Sequence, residues 1–339
     1  MGSRSGRPPS MIDVATAAGV SHQTVSRVLN GSMRVAPETR ERVMKAIGDL
    51  GYRRNSMARA LVTSRSGILG ILTTTSVAYG PTSMLVSVEI AARKAGFFTV
   101  VAPIEDFSPS SLRQAVDRFL GLSVEGIVIF APIEDVTEDL DVIDVAVPMV
   151  AVTPREVPSA PDLLRVSVDQ RGGARSAVTH LIGLGHTDIA HVPGPADWLE
   201  AQDREAGWRE VMAEHGLSVR EPLARGWDAS TGYEVGLTLA RSGGPTAVFA
   251  ANDELALGLI HAVREAGRSV PADVSVVGFD DEPAARFFLP RLTTVRQDFD
   301  ELGRRVIGVL TEAIAGRRPI GPTSLDATLV VRASTAPPS

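Results

Sequence analysis

Residues 19–31 read GVSHQTVSRVLNG, and the spacing inside this stretch decides how the first fifty residues fold. Val25, Val28 and Leu29 stand at i, i+3 and i+4, which lays one apolar stripe along a helix over 21–30, and Ser21 is a residue type suited to cap it. His22, Gln23, Thr24 and Arg27 are left on the polar side near the helix start. Upstream, MIDVATAA (11–18) predicts a first helix. Ser10 and Asp13 have the S-x-x-D spacing of a capping box, Ile12, Val14, Ala15 and Ala18 give a small apolar face, and Gly19 is the stop. Two short helices across a tight glycine turn form a helix-turn-helix, whose second helix reads the DNA major groove. Gln can bond bidentately to adenine and Arg to guanine, each pair contributing about 1–3 kcal/mol of base discrimination. Downstream, Pro37 to Leu50 predicts a third helix with Val43, Ile47 and Leu50 inward and Gly51 as its stop.

The charge of this region sets it apart from the rest of the chain. Residues 1–65 hold 11 Arg and Lys against 4 acids, a net of plus 7, whereas the remaining residues hold 23 against 36, minus 13. A basic head on an acidic body attracts phosphates at one end only. At 339 residues with 44% hydrophobic content the chain can bury several cores, so two or three folding units are expected and wholesale disorder is excluded. No apolar run is long enough for a membrane span, and no apolar stretch follows the basic N-terminus to make a signal peptide, so a cytoplasmic protein is expected. Having no cysteine, the chain has no disulfide framework, thiolate metal site or cysteine nucleophile.

From Gly67 onward, apolar runs alternate with amphipathic stretches. GILGILT, FFTVVA, GIVIFA and PMVAV read as buried strands, with helices near 84–95, 110–121 and 137–145. RVSV, DIAHV, TAVFAA and VSVVGFD form a second set, with helices near 171–184, 203–215, 231–241 and 252–266, and LDATLVVR (325–332) reads as a last strand. Such alternation predicts parallel sheets covered on both faces, here in two lobes. Ligands of these sheets lie beyond the carboxyl ends of the strands, which carry Thr73 to Ser76, Asn252 with Asp253, and Asp280 with Asp281.

Enzyme motifs are missing from this body. Lys45 and Lys94, the only lysines, do not sit in a phosphate-binding loop, and neither G-x-S-x-G nor H-E-x-x-H occurs. His180, His186 and His191 are not at helical ligand spacing, and the Asp280–Asp281 pair has no nucleophile or metal-ligating partner beside it. No catalytic residue, metal site or cofactor is therefore predicted.

GVSHQTVSRVLNG, together with the run RVAPETRERVMKAIGDLGYRRNSMARALVTSRSGILGIL that follows, resembles the DNA-binding head and hinge of the lactose-repressor/galactose-repressor (LacI-type) family of bacterial transcription regulators. The resemblance continues through GHTDIAHVPGP, DREAGWREVM, PTAVFAANDELALGLIHAVREAG and DVSVVGFDDEPAARFFLPRLTTVRQDFDELG, covering roughly residues 10–333. It implies a three-helix helix-turn-helix head (10–54) behind a disordered tail (1–9), then a hinge helix (55–65). Beyond these it implies a two-lobed, periplasmic-binding-protein-like α/β body (66–333), with one lobe at 66–166 and 296–325 and the other at 167–295 and 326–333.

On the family pattern, Ser21, His22, Gln23, Thr24, Ser26, Arg27 and Asn30 belong to the recognition helix. His22, Gln23 and Arg27 occupy base-reading positions, while Thr24, Ser26 and Asn30 suit phosphates. Asn55, Ala58 and Leu61 belong to the hinge, Leu61 being the apolar wedge that enters a minor-groove base step. Thr74, Tyr79, Arg204, Trp227, Asn252, Asp280, Gln297 and Phe299 match positions around a small-molecule effector held between the lobes. Paired hydroxyls of a sugar suit Arg and Asp, and its C–H faces suit aromatic rings. Thr153 and Val168 depart from the pattern, standing where lactose-binding members carry an acid and an aromatic residue.

The expectation is a homodimeric repressor on near-palindromic operator DNA, controlled by a sugar of galactoside type acting as inducer. A purine or other non-sugar corepressor stays open, as does, less readily, a sugar-binding transport protein. ASTAPPS at the end carries no leucine heptad, so a dimer is expected and not a tetramer.

Overall fold

Helix α1 (Met11–Ala18) starts where the capping box is closed from both sides: the Ser10 N–H donates to the Asp13 carboxylate at 2.7 Å, and the Asp13 N–H donates to Ser10 Oγ at 3.3 Å. This computed structural model describes residues 9–29, 34–52, 65–105, 108–131, 146–154, 163–241, 244–321 and 323–339. They divide into two units, one ending at Ser66 and one beginning at Gly67. In the first unit, the Ser21 hydroxyl accepts from the Thr24 N–H at 3.1 Å at the start of α2 (His22–Leu29), and α3 (Pro37–Leu50) begins on proline. Val14, Ala15, Ala18, Val25, Val28, Val43 and Ala46 meet in the core.

Two of the predicted core residues fall outside it. Ile12 is 66% exposed because it lies well around the helix from Val14, Ala15 and Ala18, and Leu50 is 37% exposed. The chain reverses at Gly51 in the left-handed region (φ +63°), and the Tyr52 N–H donates to the Ile47 carbonyl at 3.0 Å. Tyr52, not Leu50, is therefore the residue that closes the head.

The second unit holds two sheets. Strands β1 (Ile68–Thr74), β2 (Phe98–Ile104), β3 (Gly126–Phe130), β4 (Met149–Val152) and β5 (Leu164–Val168), with the short β10 (Ser324–Leu325), form the first. The order is β10-β5-β4-β3-β1-β2 and every pairing is parallel. Both faces are covered, so successive residues bury on opposite sides. Leu69, Ile71, Val128 and Phe130 pack into one core, whereas Leu72, Ile127 and Ile129 pack into the other. Helix α4 (Tyr79–Lys94) covers the first face and α5 (Pro109–Gly121) the second.

Strands β6 (Ile189–Val192), β7 (Ala247–Ala250), β8 (Ser275–Asp280) and β9 (Thr293–Arg296), with β11 (Thr328–Val330), make the second sheet in the order β11-β9-β8-β7-β6. Its pairings are parallel except β11 with β9, which is antiparallel. Around it lie α6 (Gln170–Gly183), α7 (Leu199–Glu214), α8 (Ala229–Arg241) and α9 (Asp253–Glu265). A further helix not read from the sequence, α10 (Phe299–Ile314), returns to the first sheet and buries Phe299, Leu302, Val306 and Leu310 there.

The chain thus crosses between the two sheets at three places: β5 to α6, β9 to α10, and β10 to β11. The stretch LDATLVVR, predicted as one strand, divides at this third crossing. Leu325 pairs with Val168 in the first sheet, and Thr328 pairs with Arg296 in the second. The predicted tail, hinge helix and helix near 137–145 lie wholly or nearly so outside the described residues.

Candidate functional site

In the head, Val25 and Val28 point inward while His22, Gln23 and Arg27 are exposed on the opposite side of α2. Ser21 and Thr24 bond to each other, Oγ to Oγ1, at 2.9 Å, so their first task is to hold the helix start. Ser26 is half-buried. Asn30, Asn55, Ala58 and Leu61 lie outside the described residues.

In the second unit, the carboxyl ends of strands from both sheets converge on one cleft. The first-sheet side supplies Pro81 and Met84 of α4 and Thr153 beyond β4; the second-sheet side supplies Arg204, Trp227, Asn252 and Asp280; the crossings supply Gln170, Gln297 and Phe299. Four of these side chains close a ring of hydrogen bonds. Arg204 donates from Nε to Gln170 Oε1 at 2.9 Å and from Nη2 to Asp280 Oδ1 at 3.3 Å. Gln170 Nε2 donates to Gln297 Oε1 at 2.7 Å, and Gln297 Nε2 donates to Asp280 Oδ1 at 2.6 Å. Arg204 Nη1 also donates to the Ala251 carbonyl. The guanidinium lies 3.9 Å from the centre of the Phe279 ring, a cation–π contact strengthened by its dry surroundings.

Burial raises the Asp280 carboxyl, while Arg204 and the Gln297 amide oppose that shift. The same burial lowers Arg204, against the pull of Asp280, Glu200 and Asp253. Each charge is tolerated because the other is there. The Asp280 backbone is strained at φ +102°, outside the regions an L-residue adopts readily.

Asn252 caps α9: its Oδ1 accepts the Leu255 N–H at 2.8 Å, and its Nδ2 donates to the Trp227 carbonyl at 2.8 Å. It therefore lines the cleft with both polar groups engaged inside the protein. Trp227 packs edge-on against Trp198, with ring centres 5.6 Å apart. Behind it is Gly194, where any side chain would overlap the indole.

Two sequence-predicted residues are beside the cleft and not among its lining. Thr74 Oγ1 accepts from the Ser76 N–H at 3.2 Å, and the Tyr79 ring meets Phe299 edge-on at 5.9 Å. Conversely, sequence reasoning missed Gln170, Trp198 and Glu200. All three lie in the segments that leave the carboxyl ends of β5 and β6, the place where ligands of parallel sheets bind, and that rule alone was signal enough to find them. Thr153 and Val168, the two departures from the family pattern, are buried in the lining.

Comparison with known proteins agrees with this architecture. Residues 10–55 match the family model described as bacterial regulatory proteins, lacI family, and residues 178–335 match the periplasmic binding protein-like domain. The lactose operon repressor of Escherichia coli K12 is 32% identical over 334 residues, 98% of this chain and 92% of that protein. The HTH-type transcriptional repressor PurR of Haemophilus influenzae is 32% identical over 309 residues, 89% of this chain and 90% of its own. Among solved structures, the lac repressor dimer bound to operator and the anti-inducer ONPF has a TM-score of 0.85 at 32% identity, covering 97% of this chain and all of that one. The complex of the transcriptional regulator CelR with cellobiose has a TM-score of 0.70 at 31% identity, covering 96% and 99%. With a helix-turn-helix head, a two-lobed α/β body and relatives matched along nearly their whole length, the chain belongs to the lacI family of bacterial regulatory proteins, which are DNA-binding transcriptional regulators.

Proposed function

We propose that this regulator is a cytoplasmic homodimeric repressor, released from near-palindromic operator DNA by a small saccharide of galactoside type bound between its lobes. The observation that carries this reading is the composition of the cleft. A ring of charged and amide groups around Arg204 and Asp280 stands beside the aromatic faces of Trp227, Trp198 and Phe299. Sugars present hydroxyls to such groups and C–H faces to such rings.

Two relatives were solved with small ligands, one of them with cellobiose, which supports a saccharide. Thr153 and Val168, smaller and uncharged beside the acid and aromatic residue of lactose-binding members, favour a sugar other than lactose. On the head, His22, Gln23 and Arg27 are the base readers of this proposal, and Thr24, Ser26 and Asn30 hold phosphates. Asn55, Ala58 and Leu61 meet the minor groove.

Ligand closes the lobes and alters the spacing of the hinges, so ligand and operator each disfavour the other's conformation. Two of the chain's three tryptophans, Trp198 and Trp227, line the cleft, so intrinsic fluorescence reports its occupancy. Titration with methyl β-D-galactopyranoside, lactose, cellobiose, hypoxanthine and guanine tests the reading. A saturable change with a saccharide supports it; binding of a purine base alone replaces it with a corepressor.

A further inference from the structure

Glu200 is in the first turn of α7, one turn before Arg204, and lines the cleft. Its Oε2 is buried with no hydrogen-bond partner, and so is Nε1 of Trp227 in the same lining. A buried polar atom left without a partner is costly, so both atoms favour a ligand that satisfies them. One is an acceptor and the other a donor, and a hydroxyl group can serve either.

The charges around Glu200 narrow the ligand further. On its own helix it faces Arg204 and Asp203, and from the end of β8 it faces Asp280. The lining supplied by α4 with its N-cap and by the segment after β4 is uncharged: Ala78, Gly80, Pro81 and Met84 on one, Thr153 and Pro154 on the other. Arg204 is the only cation in the lining among the described residues, and Asp280 already neutralises it.

We propose that Glu200 is the specificity-determining residue of the cleft: its carboxylate accepts a hydrogen bond from a hydroxyl of an uncharged saccharide and repels ligands bearing a carboxylate or phosphate. This rests on the saccharide reading above and adds the ligand's charge class. Burial pushes the Glu200 carboxyl up to about 7, so its ionisation falls within an accessible pH range. A donated hydroxyl stabilises the ionised form and pulls the carboxyl back down. The saccharide therefore binds more tightly as pH rises through 7, by about tenfold between pH 6 and pH 8.

The test uses the full chain, with affinity read from tryptophan fluorescence and folding of each variant checked by circular dichroism and thermal melting. Neutral probes are methyl β-D-galactopyranoside, lactose and cellobiose; anionic probes are D-galacturonate and D-galactose 6-phosphate. Expected results are a neutral probe that binds about tenfold more tightly at pH 8 than at pH 6, anionic probes that bind far more weakly, and Glu200→Gln weakening the neutral probe at pH 8 and losing the pH slope. Glu200→Asp, which keeps the carboxylate, retains the slope. An unchanged affinity and slope in Glu200→Gln, or anionic probes binding as well as neutral ones, overturns the role of Glu200 and leaves the saccharide reading standing. Failure of every neutral saccharide to bind the unaltered chain overturns both.

Discussion

Arg204 donates to Gln170, Asp280 and the Ala251 carbonyl, so truncating it strands several acceptors at once. The Asp280 carboxylate would remain buried without its counter-charge, and breaking such a pair from one side costs about 3–5 kcal/mol. Arg204→Met is therefore expected to lower the free energy of urea unfolding by about 3 kcal/mol and to abolish the fluorescence response to saccharide.

A different residue is expected to contribute to the acid limit. His191 is buried, stacks on Phe249 at 4.7 Å between ring centres and donates from Nδ1 to the Phe249 carbonyl at 2.8 Å. Burial lowers its pKa from 6.5 to about 4. The unfolded chain thus takes up this proton before the folded one does. His191 contributes full stability above pH 6.5, lost as pH falls from there toward 4, by about 3 kcal/mol at most. Unfolding curves of His191→Phe should lack this loss; an unchanged pH dependence would assign the acid limit to other groups. Gly194→Ala addresses the cleft by shape alone, since the added methyl overlaps Trp227. Weakened saccharide binding with little change in melting temperature is expected.

At the scale of the element, the last residues behave as part of the second sheet. Ser334 is fully buried, its Oγ accepts the Thr293 N–H at 2.8 Å and donates to the Val276 carbonyl at 2.6 Å, and its carbonyl accepts the Val276 N–H at 2.8 Å. Ser334→Ala leaves two buried backbone groups without their side-chain partner and should cost about 1–3 kcal/mol in chemical unfolding. In α2, Arg27→Ala should weaken discrimination between operator and random DNA by about 1–3 kcal/mol; full retained selectivity in a gel-shift competition would remove Arg27 from base reading.

The helices of the head and the buried strands of the body were legible because apolar spacing and caps are local signals. Val25 and Val28 on α2, or the run of β3, announce themselves within a few residues. What stayed hidden depends on contacts made far along the chain. Tyr52 closes the head only because Gly51 reverses the backbone. LDATLVVR divides because Leu325 and Thr328 pair with different sheets; the break falls at Asp326 and Ala327, the residues of the stretch with poor β propensity. In the cleft, Asp280 stood out as a charge at a strand end and Arg204 through the family pattern, whereas Gln170 and Glu200 read as ordinary polar residues unless the strand-end rule is carried into the segments that follow β5 and β6.

Over the whole molecule, the plus 7 head and the minus 13 body divide the work of binding. The head supplies counter-charge to phosphates, so operator affinity should fall steeply with salt, while saccharide binding in a cleft where Arg204 is already paired with Asp280 should depend on salt only weakly. A two-fold dimer, as proposed above, would read matching half-sites, so a near-palindromic operator is expected. The lobes are joined by three chain crossings, and Gln170 and Gln297 in the hydrogen-bonded ring stand at two of them. A ligand engaging that ring therefore acts on the joints between the lobes as well as on their faces.

The central claim, that a saccharide in this cleft releases operator, is tested most directly by fluorescence anisotropy of the full chain. The duplex would be one selected by the protein from a random pool, and each saccharide would be titrated into the preformed complex. The account predicts a near-palindromic selected site and its release by at least one neutral saccharide, with no release from the Arg204→Met complex. An operator complex unmoved by every saccharide and tightened by a purine base would contradict it.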